Sequence, residues 1–150
     1  MKRIYMDHNA TTPVHPAVLD AMLPYYREFF GNASSVHSFG QKAREAIEEA
    51  REKIADFIGA QPGEIILTSG GTESDNFAIE GAAYENAKKG NHIITSAIEH
   101  HAVLNVCKHL ETHGFRVTYL GVDRYGMINL DELKNAIRDD TTLITIMYAN

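Results

Sequence analysis

Residues 92–104 read HIITSAIEHHAVL, and this stretch joins a short apolar run to a segment with helical periodicity. The apolar run predicts a strand over 92–96, and the spacing after it predicts a helix over about 100–112. Glu99 and His100 lie at the junction between the two. A strand followed by a helix is also predicted before and after this stretch, and this repeated order is the basis of the fold prediction.

The alternation extends outward until it covers residues 61–150. Further strands are predicted at 64–68, 115–120 and 142–148, and further helices at 72–88 and 130–138. Strands that alternate with helices in this way form βαβ units, in which parallel strands are covered by helices. The fold class is therefore predicted as α/β, with a mostly parallel sheet and flanking helices.

The first 60 residues do not show this alternation. Residues 1–15 are rich in turn formers and predict an irregular arm. A helix is predicted over about 17–29, although Pro24 should kink or divide it. Another helix should follow Gly40 and end at a Gly59 cap, because apolar residues recur between them every three or four positions. The predicted regions are an arm (1–15), a helical region (16–60) and an α/β region (61–150).

Composition and charge exclude several classes of function. The 150 residues carry 14 Lys and Arg against 20 Asp and Glu, a net charge of −6 without a basic run, so we expect no nucleic-acid partner. No apolar run is long enough for a signal peptide or a membrane span, so we expect no membrane partner. The single cysteine, Cys107, excludes an internal disulfide framework and fits a reducing, cytoplasmic setting.

The turn in LTSGGTESDN, residues 67–76, allows two interpretations. It follows a predicted strand, and parallel sheets bind their ligands at the carboxyl ends of strands. Gly70 and Gly71 would let the backbone approach a phosphate closely, while the helix start and the Thr72 hydroxyl donate hydrogen bonds to it. Alternatively, Thr72 caps its own helix and reciprocates with Asp75. The turn by itself leaves both interpretations open.

The histidines and the cysteine also allow more than one interpretation. His100, at the end of the next predicted strand, could stack on a planar ring and transfer protons, or it could be an ordinary residue of a first helical turn. His109 and His113 share a helical face but lack an evident third ligand, so we expect no metal site. Cys107 recurs at helical spacing with apolar residues, which predicts a buried thiol without a catalytic role.

Five segments, in this order, resemble the N-terminal part of the cysteine desulfurases, pyridoxal 5′-phosphate (PLP) enzymes of the class V aminotransferase group. They are YMDHNATTPVHP, GNASSVHSFGQKAREAIEEAR, ILTSGGTESDNFAI, HIITSAIEHHAVL and TTLITIMYAN, and the resemblance covers essentially all 150 residues. It is strongest to the type that serves iron–sulfur cluster assembly. It implies the N-terminal portion of the large domain of a fold-type I PLP enzyme, preceded by helices of the small-domain or arm region.

The resemblance also implies a site and a reaction. Gly71 and Thr72 match the residues that bind the cofactor phosphate. His100 matches the residue that stacks on the pyridine ring and assists proton transfer, and it is the catalytic candidate. The family converts L-cysteine to L-alanine and passes persulfide sulfur to an iron–sulfur scaffold protein. A homodimer is expected on the same ground.

Two groups that the family needs for catalysis have no match here. They are the lysine that forms a Schiff base with PLP and the nucleophilic cysteine, and both lie beyond the matched region in the family. Lys88, Lys89 and Lys108 stand at positions unlike that lysine. Cys107 matches a non-catalytic helix position, and Asn150 matches the first of two asparagines of which the second contacts the cofactor.

We therefore expect a truncated chain, the N-terminal half of a cysteine desulfurase. One alternative is another class V enzyme, either an aminotransferase or a selenocysteine lyase. The other alternative is a non-catalytic binding or assembly fragment, which keeps part of the cofactor site without the residues that complete it.

Overall fold

The structure is a computed structural model that describes residues 3–149, and the chain divides into two compact units between Leu67 and Thr68. In the described residues, no helix is long and apolar enough to cross a membrane. The observed boundary lies within the segment that was expected to form the first strand. The assignment of regions 1–15, 16–60 and 61–150 to the domains of a complete enzyme stays a prediction.

The first unit contains helix α1 (Pro16–Arg27), helix α2 (Ser38–Ile58) and a 3-10 turn (Pro62–Glu64). α1 begins with a proline, which suits a first helical turn, and the His15 ring accepts a hydrogen bond from the Ala17 N–H. The prediction that Pro24 divides this helix is wrong. Pro24 lies near the C-terminal end, so its ring removes a single hydrogen bond, and its carbonyl accepts from the N–H groups of Glu28 and Phe29.

Helix α2 has a side-chain cap at its start and a glycine cap at its end. The Nδ1 atom of His37 accepts a hydrogen bond from the Gly40 N–H at 3.4 Å, so the helix begins slightly before the predicted position. Gly59 has a φ of 72°, in the left-handed region that favours glycine, and its N–H bonds back to the carbonyls of Ala55 and Asp56. The predicted glycine cap is confirmed.

The second unit is a parallel three-stranded sheet with flanking helices. Its elements are α3 (Gly71–Glu85), β1 (His92–Ser96), α4 (His101–Thr112), β2 (Arg116–Leu120), α5 (Leu130–Ala136) and β3 (Thr141–Thr145). The strand order is β2-β1-β3, and β1 is parallel to both of its neighbours. The predicted α/β fold with a parallel sheet and flanking helices is confirmed.

Strand β1 lies at the centre of the second unit, and all five of its residues are buried. The core is formed by Ile79, Ala83, Ile93, Val103, Val106, Cys107, Leu110 and Phe115. These residues come mainly from α3, β1 and α4. Because α3 leads into β1 and α4 leads out of it, both helices run opposite to the strand and begin at its carboxyl edge.

The predicted strand over 64–68 is wrong. Residues 65–68 have no strand pairing within the described part of the chain, and Ile66 is 58% exposed. The Arg51 guanidinium donates a hydrogen bond to the Ile65 carbonyl instead. An apolar run becomes a strand only where a neighbouring strand pairs with its backbone N–H and C=O groups, and the described residues supply no such neighbour. The glycine turn therefore follows extended chain and not a strand of this sheet.

Candidate functional site

Helix α3 begins with unpaired hydrogen-bond donors. Its first internal hydrogen bond runs from the Ser74 N–H to the Gly70 carbonyl at 3.1 Å, and no side chain of the described residues caps the helix. The N–H groups of Gly71, Thr72 and Glu73 therefore have no acceptor within residues 3–149. In the same residues the Thr72 hydroxyl also has no partner. Three backbone donors and one side-chain donor are available at this helix start.

The turn is held by a contact that the sequence did not predict. The Oε2 atom of Glu73 accepts hydrogen bonds from the hydroxyl and the N–H of Ser69, both at 2.6 Å, and these bonds lower the pKa of Glu73. The alternative in which Thr72 caps the helix and reciprocates with Asp75 is wrong. The helix begins at Gly71, so Glu73 occupies the third helical position and reaches back to the turn.

The space next to the turn is open. A Cβ atom on Gly70 or Gly71 would meet nothing within 4 Å, so the packing of this chain does not itself require glycine at either position. An anion can therefore approach the free N–H groups closely. The helix dipole favours an anion there by about 0.3–1 kcal/mol, so most of the affinity has to come from the four donors. These residues fit a phosphate group.

His100 is the N-cap residue of α4. Its Nδ1 atom accepts a hydrogen bond from the Ala102 N–H at 3.1 Å, and the side chain is exposed. A neutral imidazole whose Nδ1 accepts carries its proton on Nε2, so Nε2 is the nitrogen left to act on a ligand. His15 and His37 cap their helices in the same way. The cap alone is therefore no sign of catalysis, and the role of His100 stays a prediction.

A buried carboxylate stands directly before His100. The Oε1 atom of Glu99 accepts hydrogen bonds from the Ser96 hydroxyl at 2.7 Å and from the Met147 N–H at 2.8 Å. The sequence placed Glu99 at the junction without a role and gave no role to Ser96 or Met147. Its contact with Met147 spans 48 positions, and Met147 is free to make it because β3 ends at Thr145, before the predicted position. No sequence pattern signals a contact of this range.

Other candidate side chains lie outside this site. Cys107 is fully buried, and burial, together with the carboxylates of Glu111 and Glu99, raises the pKa of its thiol to about 11. The predicted buried thiol is confirmed. The rings of His109 and His113 lie 4.3 Å apart between centroids, and the His113 Nδ1 is 3.0 Å from the His109 carbonyl oxygen. Within residues 3–149, no group of three His, Cys, Asp or Glu side chains could hold a metal ion.

The family model of the class-V aminotransferases matches residues 4–150, which is nearly the whole chain. The chain belongs to the class-V aminotransferase family. Among members of this family, the cysteine desulfurase IscS of Methanosarcina thermophila is 61% identical over 99% of this chain, and the match covers 37% of that relative.

Solved structures agree with this membership of the class-V aminotransferase family. A NifS-like protein superimposes with a TM-score of 0.93 at 44% identity, over 99% of this chain and 41% of its own. The structure of SspA in complex with cysteine superimposes with a TM-score of 0.86 at 47% identity, over 95% of this chain and 41% of its own. The chain thus spans 37% to 41% of the length of these proteins. The resemblance to the N-terminal part of the cysteine desulfurases is confirmed.

Proposed function

We propose that this chain supplies the N-terminal part of a PLP-dependent cysteine desulfurase. In this proposal Gly71 and Thr72 bind the cofactor phosphate, and His100 contacts the cofactor ring. The observation that carries it is the start of α3, where four unpaired donors border open space. The 61% identity to a cysteine desulfurase over 99% of the chain supports the same assignment.

The start of α3 binds the phosphate through hydrogen bonds. Gly71 and Thr72 donate their N–H groups, and Thr72 adds its hydroxyl. Each hydrogen bond to a charged group contributes about 1.5–3 kcal/mol, which is more than the helix dipole supplies. The Glu73 carboxylate does not compete for these donors, because it accepts from Ser69 on the other side of the turn.

His100 is the catalytic residue of the proposal. Bound PLP supplies an electron sink for the substrate. The imidazole contributes a proton donor at Nε2, because its Nδ1 accepts from the Ala102 N–H and the ring proton is therefore on Nε2. This hydrogen bond also fixes the direction of the ring at the start of α4, so the proton is held at a defined place.

The proposed substrate is L-cysteine, and the products are L-alanine and a persulfide sulfur that is passed to an iron–sulfur scaffold protein. The solved structure of SspA in complex with cysteine, at 47% identity, supports this choice of substrate. The attacking thiolate has to come from another part of the complete protein, because Cys107 is buried and its pKa is raised. A homodimer and a cytoplasmic location belong to the same proposal.

The test uses the natural full-length protein. After purification with PLP, it should show the visible absorbance of a lysine-bound cofactor and, with an added thiol reductant that reduces the persulfide, release alanine and sulfide from cysteine in equal amounts. A colourless protein of 16.7 kDa that binds no PLP would contradict the proposal and favour a binding or assembly fragment. Release of alanine from selenocysteine alone would indicate a selenocysteine lyase, and transfer of the amino group to a keto acid would indicate an aminotransferase.

A further inference from the structure

Glu99 joins two strand ends at the edge of the sheet where α3 and α4 begin. Its side chain is buried, with 6% of the residue exposed. One oxygen, Oε1, accepts hydrogen bonds from the hydroxyl of Ser96, the last residue of β1, and from the N–H of Met147, which follows β3. The Ala97 N–H then donates to the Leu120 carbonyl at the end of β2. The three strands are therefore connected at their carboxyl ends around this carboxylate.

The carboxylate is an unusual group to bury at this place. In the part of the chain that the structure describes, no Lys, Arg or His forms an ion pair with Glu99, so its charge is compensated by hydrogen bonds alone. A buried charge without a partner is costly, and an apolar side chain would pack at a lower cost. A carboxylate oxygen gives stronger hydrogen bonds than a neutral acceptor, and here it holds two donors that lie 51 positions apart in the chain (96 and 147).

His100 follows Glu99 directly and begins α4. Three constraints converge on its backbone: the buried Glu99 side chain before it, the Ala102 N–H on its own Nδ1, and the burial of Ala102 and Val103 after it. The backbone at His100 is thus held by the buried Glu99 before it and by the buried residues of α4 after it, while the ring itself is exposed. Release of the Glu99 contact would free the end of β1 from the segment after β3 and leave the ring held by its cap alone.

We propose that Glu99 is a positioning residue, whose carboxylate ties Met147 to the end of β1 and thereby holds the His100 ring at the carboxyl edge of the sheet. The inference rests on the proposed function for the catalytic importance of the ring's position, because in that function the His100 ring contacts the cofactor. The effect on the ring itself is a property of this chain and can be measured without cofactor or substrate.

The experiment compares variants of the natural full-length protein. Glu99→Ala removes the acceptor, Glu99→Gln keeps an acceptor oxygen of the same reach, and Ser96→Ala removes one donor. Glu85→Ala, at an exposed carboxylate on α3, is the matched control. Ring signals of His100 are recorded by NMR on histidine-labelled protein without PLP and assigned with His100→Gln. The dissociation constant of PLP, kcat and KM are measured on the same preparations.

We expect Glu99→Ala to shift and broaden the His100 signals and to lower kcat about tenfold, with a smaller change in KM, because the group that is displaced acts in the chemical step. Glu99→Gln should restore the signals and most of kcat, because its amide oxygen accepts both hydrogen bonds. Ser96→Ala should fall between the two. Glu85→Ala should match the unmodified protein in every measurement.

Unchanged His100 signals in folded Glu99→Ala would overturn the inference, and so would a Glu99→Gln variant as impaired as Glu99→Ala, since the acceptor geometry would then be irrelevant. If Glu99→Ala does not fold, Ser96→Ala decides: wild-type His100 signals there contradict the positioning role. Failure of the proposed function has a different signature. In that case the unmodified protein binds no PLP, while the His100 signals still respond to Glu99→Ala.

Discussion

Helices α3 and α4 begin at the same edge of one sheet, but a side chain caps the start of α4 and none of the described side chains caps the start of α3. The start of α4 is capped by its own His100 ring and tied to the sheet through Glu99. The start of α3 has an extended glycine as its N-cap, and the acidic residue of its first turn, Glu73, bonds to Ser69 and leaves the helix donors free among the described residues. A capped helix start, here called closed, holds the capping side chain in position. An uncapped helix start, here called open, leaves its backbone N–H groups available to a ligand. In the proposed function, the open start binds the phosphate of PLP and the closed start presents the histidine that contacts its ring.

The largest effect on activity should come from replacing His100, whose ring caps the start of α4. We expect His100→Ala in the full-length protein to lower kcat about 100-fold, because a positioned acid or base contributes at least that factor. The lost helix cap should reduce the free energy of unfolding by about 1 kcal/mol. Steady-state rates and urea unfolding on the same preparation measure the two effects.

His15→Ala is the matched control for that substitution, because the His15 ring also accepts an N–H at the start of a helix. It should cost a similar free energy of unfolding and leave kcat unchanged. If both variants lose stability alone, then His100 is a cap like His15, and the comparison between the two helix starts loses its functional meaning.

The open start of α3 can be tested through its side-chain donor. Thr72→Val should weaken PLP binding about tenfold or more, because it removes a hydroxyl that donates to a charged phosphate. The unfolding free energy without PLP should hardly change, since this hydroxyl has no partner in the described residues. Thr72→Ser keeps the hydroxyl and should retain most of the affinity. Equal PLP dissociation constants for the valine and serine variants, measured by titration, would contradict the assigned role.

The accuracy of the sequence predictions differs between the centre of the sheet and its margins. The bounds of β1 were predicted residue for residue, because the alternation of strands and helices places it between two helices and its β-branched residues Ile93, Ile94 and Thr95 favour a strand. The expected strand over 64–68 has similar composition and is not a strand, because its state depends on a partner strand that the described residues do not supply. The local sequence pattern was thus enough to predict the fully buried central strand. It was not enough for a segment whose conformation depends on pairing with another strand.

The candidate site shows the same limit. The resemblance named Gly71, Thr72 and His100, and their roles stay predictions. The structure places Gly71 and Thr72 in the first turn of α3 and His100 at the N-cap of α4, and such helix starts are local features that a sequence pattern can locate. The Glu99 contact to Met147 could not be predicted, since it depends on how β1 and β3 pair in register. The partner of Glu73 was missed because the N-cap of α3 is Gly70 and not Thr72, so Glu73 and not Asp75 occupies the third helical position.

The amino edge of β1 offers a further contrast to His100. There His92 is buried, and its two ring nitrogens lie 2.7 Å and 2.8 Å from the hydroxyl oxygens of Thr141 and Thr118 on the neighbouring strands. At the carboxyl edge, the start of α4 therefore presents an exposed histidine whose Nε2 has no partner in the described part of the chain. The other edge encloses a histidine whose two nitrogens are both engaged, which makes it sensitive to protonation.

Acid should destabilise the protein through His92. Burial lowers the pKa of His92, and the charge of Arg138 and, more weakly, that of Arg116 add to this effect while Asp140 opposes it. The unfolded chain, with an ordinary pKa of 6.5, then binds the proton more readily than the folded one. This contribution to stability is full above that value and is lost as the pH falls below it and through the lower pKa of the folded state. His92→Gln should flatten the dependence, measured as urea unfolding from about pH 8 to about pH 5.

His101→Gln, at an exposed ring in the same unit, is the control for the loss of an imidazole. A His92→Gln variant that keeps the wild-type pH slope would show that the buried ring is not the source of the acid sensitivity.

The smallest effect concerns the glycine at the open start itself. Gly71→Ala should raise the free energy of unfolding without PLP by about 0.5 kcal/mol, because a Cβ there meets nothing within 4 Å and alanine favours the helix. Gly90→Ala is the opposite control, since its Cβ would overlap the carbonyl oxygen of Asp140 and should destabilise by about 1–3 kcal/mol. Urea unfolding measures both. If both substitutions destabilise the protein, folding itself requires glycine at position 71, and the open space beside α3 is then no evidence for a ligand. If their signs differ as expected, the described residues do not restrict the side chain at position 71, and the space beside it stays available to a ligand.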